Sequence, residues 1–217
     1  MTGVELSLVV GAVALLLLLW LAWVAATRLD RLHRKVGASR AVVDAQLVRR
    51  ATAAAELATS GLLDPASAMI VGEAAWTALS CEGSDASALN LPPDLRQLLD
   101  TSSDEAGSTD RPAQPCDRGQ VESDLTAALR EVLRDPDEVA VLRSEPGGDG
   151  LLDDLAAAWY RVQLARRFHN DAVAQARTAR RGGMVRMLRL AGTAPYPATL
   201  ELDDAWPEGL PMVRPRT

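Results

Sequence analysis

The chain has 217 residues, of which 48% are hydrophobic and 24% are charged, and its formal net charge is −6 at pH 7. This length is enough for one domain with additional segments. All of the 23 basic residues except Lys35 are arginine, and alanine is abundant throughout. We interpret this usage as a genome-composition bias and expect no nucleic-acid partner.

An apolar run of 21 residues without a charge extends from Leu6 to Ala26. A helix needs about 20 apolar residues to cross the hydrocarbon layer, so the run predicts a transmembrane helix. Trp20 and Trp23 lie near its end, where aromatic rings prefer the headgroup layer. A cleaved signal peptide is the alternative, but the run is longer than signal peptides have and no basic residue precedes it. We therefore expect residues 1–27 to be an uncleaved anchor.

Basic side chains follow the apolar run. Residues 28–50 hold seven basic side chains against two acidic ones. The positive-inside rule then predicts a single-pass protein of a bacterial cell membrane, with its N-terminus outside and residues 28–217 in the cytoplasm. Cys81 and Cys116 would lie in a reducing compartment and need not be paired. The inverted orientation, an extracytoplasmic envelope protein, is kept as an alternative.

Two helices are predicted after the anchor. Apolar residues recur at spacings of three and four over residues 28–60, which is the period of an amphipathic helix, and Ser60-Gly61 ends it. Asp64 followed by Pro65 is typical of a helix N-terminus, because aspartate caps the first N–H groups and proline fits the first turn. We extend this second helix to about Ser80.

The middle of the chain changes character. Residues 82–118 are rich in Ser, Asp, Gly and Pro, so we expect a low-complexity loop that is poorly ordered over residues 101–118. Within this loop, a short helix capped near Pro92–Asp94 is predicted. A helix over residues 120–134 follows. Its apolar side is predicted to comprise Val121, Leu125, Ala128, Leu129 and Val132.

The last long helix is predicted over residues 151–181, where leucine, valine and alanine form a stripe at helical spacing. Residues 184–192 are a short basic and apolar segment. The tail of residues 193–217 contains five prolines, so we expect no regular packed element in it. The fold class is therefore all-α: a single N-terminal transmembrane helix, then an antiparallel bundle of long helices within residues 28–192, then the proline-rich tail.

An antiparallel arrangement would return the chain to the bilayer at the end of the last helix. Basic side chains beside a membrane associate with anionic lipids at about 1 kcal/mol each. A basic helix end that complements its own dipole is the competing interpretation. The residues that would contact anionic lipid are Arg180, Arg181, Arg186 and Arg189.

The most polar stretch of the last helix is "ARRFHNDAVAQART" at residues 165–178. An enzymatic interpretation would place a site at Arg166, His169 and Asp171. However, neither histidine belongs to an HExxH or CxxC pattern, and no phosphate-binding or nucleophile-elbow motif occurs in the chain. On a helix, the polar residues sort to a solvated face and Phe168 is expected to bury its ring. We expect no enzymatic activity, no cofactor and no metal.

Two blocks of sequence resemble the LemA family. "RVQLARRFHNDAV" at residues 161–173 is similar to the C-terminal signature of that family, and "VVDAQLVRRATAAAELA" at residues 42–58 is similar to its first helix. The resemblance as a whole covers about 80 of the 217 residues, in two blocks at the two ends of the domain. His169 stands where the family has an aromatic residue, and the proline usual after the first Arg-Arg is absent. The chain therefore looks like a divergent member.

The resemblance implies a single-pass membrane protein with a long antiparallel helical domain and no established enzymatic activity. It implies a scaffold or interaction protein that binds a protein partner or a second copy of itself. We expect Arg166, Asn170 and Asp171 to bridge to the face of the first long helix that contains Asp44 and Arg50. The residues that match the family motifs are Asp44, Gln46, Leu47, Arg49, Arg50, Arg166, Arg167, Phe168, Asn170 and Asp171.

Overall fold

The computed structural model describes residues 3–81, 116–182 and 196–211, and within these ranges the chain forms five helices and no strand. The predicted all-α class is confirmed for this part of the chain. The short helix predicted near Pro92–Asp94, the segment 184–192 and most of the 82–118 loop lie outside the described residues. The helices are α1 (Gly3–Thr59), α2 (Pro65–Ser80), α3 (Arg118–Val132), α4 (Pro136–Ser144) and α5 (Gly148–Arg180).

The first helix joins the apolar run and the first predicted domain helix into one element of 57 residues. Gly37 lies within it without a break, because a single glycine costs a helix only about 1 kcal/mol. An 18-residue window of α1 has a mean hydropathy of 2.7, and none of that window is buried. α1 is thus long and apolar enough to cross a membrane. It is also near the N-terminus, where a signal sequence would lie.

Aspartate caps begin three of the helices. The Asp64 carboxylate accepts hydrogen bonds from the N–H groups of Ala66 and Ser67, which confirms the predicted start of α2. Asp135 caps α4 in the same way, with proline next in the chain. α4 was not predicted, although Asp135-Pro136 repeats the Asp64-Pro65 pattern. Asp117 caps α3, so α3 begins two residues earlier than predicted.

Two predicted boundaries are wrong. The loop predicted to reach residue 118 ends earlier, because Asp117 and Arg118 already belong to the start of α3. α5 begins at Gly148, three residues before the predicted start at residue 151. The turn that precedes α5 places Gly147 at a φ of +86°, a backbone conformation that glycine adopts without steric cost.

The chain divides into two compact units, which we describe separately. The first unit comprises residues 1–42 and 165–200, and the second comprises residues 43–164 and 201–217. The core of the second unit combines alanines of α1 and α2 with larger side chains of α3 and α5. These larger side chains fill the space beside the alanines. They are Leu125, Leu129, Leu133, Leu152, Leu155 and Trp159.

The first unit corrects the prediction for Phe168. Its side chain is 61% exposed, whereas the next residue, His169, is buried. Helical geometry explains the difference: Phe168 lies roughly a quarter turn from the middle of the buried stripe, at about 100° per residue. The predicted stripe itself is confirmed at Ala165, Ala172 and Ala176, all of which are buried.

Cys81 and Cys116 are joined by a disulfide whose Cα atoms are 5.8 Å apart. This corrects the expectation that the two cysteines need not be paired. The bond links the end of α2 to the residue before the cap of α3, so it closes a loop with a sequence separation of 35. Disulfides persist mainly in oxidising compartments.

Candidate functional site: a buried ion network and a bound C-terminal segment

A fully buried ion pair joins α1 to α3 in the second unit. The guanidinium of Arg50 donates to the Glu122 carboxylate at 2.8 Å, and both side chains have no exposed surface. Arg50 also donates to the backbone carbonyl of Glu122 and to the Thr126 hydroxyl, each at 3.0 Å. The Thr126 hydroxyl in turn donates to the Glu122 carbonyl at 2.9 Å. Two segments 72 residues apart in sequence are thereby held in one register.

A second arginine shares the same carboxylate. Arg118, in the first turn of α3, donates from Nε to the other Glu122 oxygen at 3.0 Å, and its side chain is 4% exposed. Glu122 thus uses both carboxylate oxygens on two guanidinium groups. The buried cluster holds two positive charges and one negative charge, and Arg50 Nε and one terminal nitrogen of Arg118 have no hydrogen-bond partner.

Two indole rings complete the surroundings of Arg50. The Arg50 guanidinium lies over the Trp159 ring of α5, 5.2 Å from its centroid, which is a cation–π contact. The Trp206 ring packs against Trp159 with centroids 6.0 Å apart. Burial lowers the pKa of Arg50, and the charge of Glu122 partly offsets that effect. Arginine nevertheless keeps its charge in proteins, so the charge of Glu122, with a smaller contribution from Asp204, offsets the positive charge of this cluster.

Arg50 is among the predicted motif residues, whereas Glu122 and Arg118 were not predicted as site residues. The predicted apolar side of α3 is confirmed at Leu125 and Leu129, which are fully buried, whereas Val121, Ala128 and Val132 are only half-buried. The buried side is rotated from the predicted one and also contains Arg118, Glu122 and Thr126. In a single sequence, a buried charged residue cannot be distinguished from a solvent-exposed one, because its partner is distant along the chain.

The C-terminal segment of the second unit is held by side chains that bind its main chain. The Trp159 indole N–H and the Gln163 amide donate to the Asp204 carbonyl at 3.1 and 2.7 Å. The Ser123 hydroxyl accepts from the Asp203 N–H at 2.9 Å. A Cβ on Gly119 would lie 2.4 Å from the Glu201 carbonyl oxygen, so only glycine permits this close approach. The segment has no helix or strand, yet it is packed in place.

Asn170 holds the corresponding segment of the first unit. Its side-chain carbonyl accepts from the Leu200 N–H at 3.0 Å, and its amide donates to the Leu200 carbonyl at 3.3 Å. Arg177 donates to the Pro197 carbonyl at 2.9 Å. Leu200 is buried. The partner of Asn170 is therefore the C-terminal segment, which differs from the predicted partner on α1. Residues 196–211 contain no helix or strand, as expected for the tail, but Asn170 and Arg177 bind their main chain.

Substitution of Asn170 by alanine should loosen the C-terminal segment. The Leu200 N–H and C=O would lose both partners, which costs about 1–3 kcal/mol for buried groups left unpaired. We expect hydrogen exchange of the amides of residues 198–200 to accelerate at least several-fold, measured by mass spectrometry of peptic peptides. Asp171→Ala, at the exposed neighbouring position, is the control and should leave the exchange unchanged. Equal exchange in Asn170→Ala and the unmodified chain would contradict the assignment.

The other motif residues occupy different environments. Leu47 is fully buried, Asp44 and Gln46 are half-buried, and Arg49 is exposed. In the last helix, Arg166 is half-buried, whereas Arg167 and Asp171 are exposed. His169 is buried and its Nδ1 lies 3.0 Å from the Ser39 hydroxyl. The ring of His169 and the carboxylate of Asp171 therefore face opposite sides of α5, one the interior and the other the solvent.

One open depression of about 210 Å³ lies on the surface of the second unit. Arg130, Glu131, Arg134, Glu208 and Ala127 line it, and Arg130 and Arg134 form ion pairs with Asp203 and with Glu131. Within residues 3–81, 116–182 and 196–211, no group of three or more His, Cys, Asp or Glu side chains is placed to hold a metal ion. No family model, curated protein or solved structure matches this chain.

Proposed function

We propose that this chain is a single-pass, membrane-anchored helical scaffold or interaction protein of the LemA type, without catalytic activity. One observation carries the anchoring: the apolar window of α1 has a mean hydropathy of 2.7 and is not covered by any other part of the described chain. Exposing a row of leucines to water costs a free energy of about 25 cal/mol for each Å² of apolar surface. A lipid bilayer removes that cost.

We also propose that α1 and α5 run antiparallel in the first unit. Lys35 donates to the Gln175 side chain at 3.2 Å, and Ser39 lies beside His169. As α1 advances four residues, the contacting residue of α5 recedes by six. This register supports the long antiparallel helical domain that the LemA resemblance implies.

The positions of the family-motif residues favour a structural role for that motif. Leu47 and Arg50 are fully buried, and Asn170 binds the main chain of Leu200. Each of these residues fixes the position of another segment of the chain. A scaffold needs such rigid positioning, whereas the buried ring of His169 would be inaccessible to a substrate.

Two observations bear on the side of the membrane that holds the helical domain, and they favour opposite sides. The basic residues after the apolar run favour the cytoplasm. The disulfide between Cys81 and Cys116 favours an oxidising compartment, because cytoplasmic thiols are kept reduced. The second candidate is therefore an extracytoplasmic envelope protein with the same anchor and the same fold.

Extraction of cell membranes at alkaline pH tests the anchoring. The full-length chain should stay in the membrane pellet with its N-terminal residues intact by mass, since about 20 apolar residues suffice to span the bilayer. Substitution of Leu15 to Leu19 by serine should release it to the supernatant, whereas Val141→Ser, at an exposed apolar position elsewhere, should not. Chemical cross-linking of the same membranes should yield a larger complex. A soluble chain, a mass starting after Ala26, or a strict monomer would each count against the proposal.

A further inference from the structure

We propose that the end of α5 and the segment at Tyr196 form a contact site for anionic lipid headgroups. This inference rests on the proposed membrane anchoring and deepens it. The site is built from Arg177, Arg180 and Tyr196, which belong to the first unit, together with Arg28 and Arg31 on α1. It extends the sequence prediction, which named Arg180 and Arg181 as well as two arginines outside the described residues.

The three residues of the C-terminal side form one cluster. The guanidinium groups of Arg177 and Arg180 lie over the Tyr196 ring, 5.5 Å and 5.2 Å from its centroid. Arg177 is held further by its hydrogen bond to the Pro197 carbonyl. The Tyr196 side chain is 54% exposed. An exposed tyrosine flanked by two arginines combines an apolar ring with positive charge, which suits the membrane–water interface.

The register of the two helices puts this cluster at headgroup depth. Lys35, which contacts Gln175, is nine residues beyond Ala26, so it stands about 13 Å above the end of the apolar run. Arg180 is five residues closer to the membrane along α5, at about 5–6 Å above that end. Each headgroup layer is about 5–8 Å thick. The guanidinium of Arg180 is therefore level with the lipid phosphates.

Arg28 and Arg31 extend the site on α1. They precede Lys35 by seven and four residues, so they lie on the same side of α1 as the contact with α5. Both are exposed. With Arg177 and Arg180 they place four positive charges at about 3–11 Å above the end of the apolar run. Charges of this kind attract anionic lipid at about 1 kcal/mol each, whereas a zwitterionic surface offers no such attraction.

Hydrogen exchange of the full-length chain in lipid nanodiscs tests the site. The readout is the exchange rate of residues 196–200 in zwitterionic discs divided by the rate in discs with one quarter phosphatidylglycerol. We expect a ratio of at least three for the unmodified chain. Arg28→Gln/Arg31→Gln and Arg180→Gln should each bring the ratio towards one. Arg161→Gln/Arg167→Gln should retain the full ratio. These two exposed arginines lie nearer the N-terminal end of α5, more than a Debye length, about 10 Å, from Arg177 and Arg180.

The outcomes separate this site from the anchoring. If the chain does not enter nanodiscs, the proposed function fails. If it enters and the unmodified chain gives a ratio of one, or the control pair also loses the ratio, only the lipid site is overturned. Inorganic phosphate added to zwitterionic discs should leave the exchange unchanged. If phosphate slows the exchange of residues 196–200 as much as anionic lipid does, the ligand of the site is a soluble anion and the lipid proposal is wrong.

Discussion

Substitution of Glu122 by alanine is expected to lower the free energy of unfolding by about 3–5 kcal/mol, because it leaves buried charges without compensation. Glu122 forms ion pairs with both Arg50 and Arg118, and all three side chains are almost completely inaccessible to water. Thermal unfolding in detergent, followed by far-UV circular dichroism, should show a transition about 10 °C lower, at about 2–4 °C per kcal/mol for a chain of this size.

Two further variants make this expectation specific. Arg50→Met should cost less than Glu122→Ala, because Glu122 would still be paired with Arg118 and the cluster would become neutral. Glu131→Ala removes an acid from the same helix whose ion pair with Arg134 is exposed. Such surface pairs contribute about 0–1 kcal/mol, so this control should unfold near the unmodified temperature. If Glu122→Ala and Glu131→Ala unfold at the same temperature, the buried ion network does not stabilise the fold by the expected amount.

Reduction of the disulfide is expected to lower the free energy of unfolding by about 4 kcal/mol, if the bond acts by restricting the unfolded chain over its sequence separation of 35. Denaturant unfolding with and without dithiothreitol measures the difference. The Cys81→Ser/Cys116→Ser variant should match the reduced chain and should not respond to the reductant. Equal stability of oxidised and reduced protein would contradict this expectation.

The same cysteines decide between the two orientations. Cells are lysed in denaturant with a thiol-alkylating reagent, and the mass of the chain is measured. The disulfide predicts that Cys81 and Cys116 stay unmodified until a reductant is added, as in an oxidising compartment. Alkylation of both cysteines without reductant would instead support the cytoplasmic orientation that the flanking arginines predict.

Most of the helices, and the apolar stretch of α1 that is long enough to cross a membrane, follow from the sequence by itself. Asp64-Pro65 marks the start of α2 because capping acts between residues two or three apart. The apolar run of α1 and the buried alanines of α5 are visible for the same reason: helical periodicity relates residues three and four apart. The start of α4 carries the same local signal, Asp135-Pro136.

The partners of the polar residues were decided only in the tertiary structure. Glu122 meets Arg50 across 72 residues, and Asn170 meets Leu200 across 30. Neither spacing leaves a periodic signal, since each contact depends on how two separate segments pack. Phe168 and His169 are a further example. The rotation of α5 in its unit buries the histidine and exposes the phenylalanine, although phenylalanine is the more often buried of the two residue types. Local patterns therefore determine which segments are helical, and packing determines which side of each helix is buried and what its charges bind.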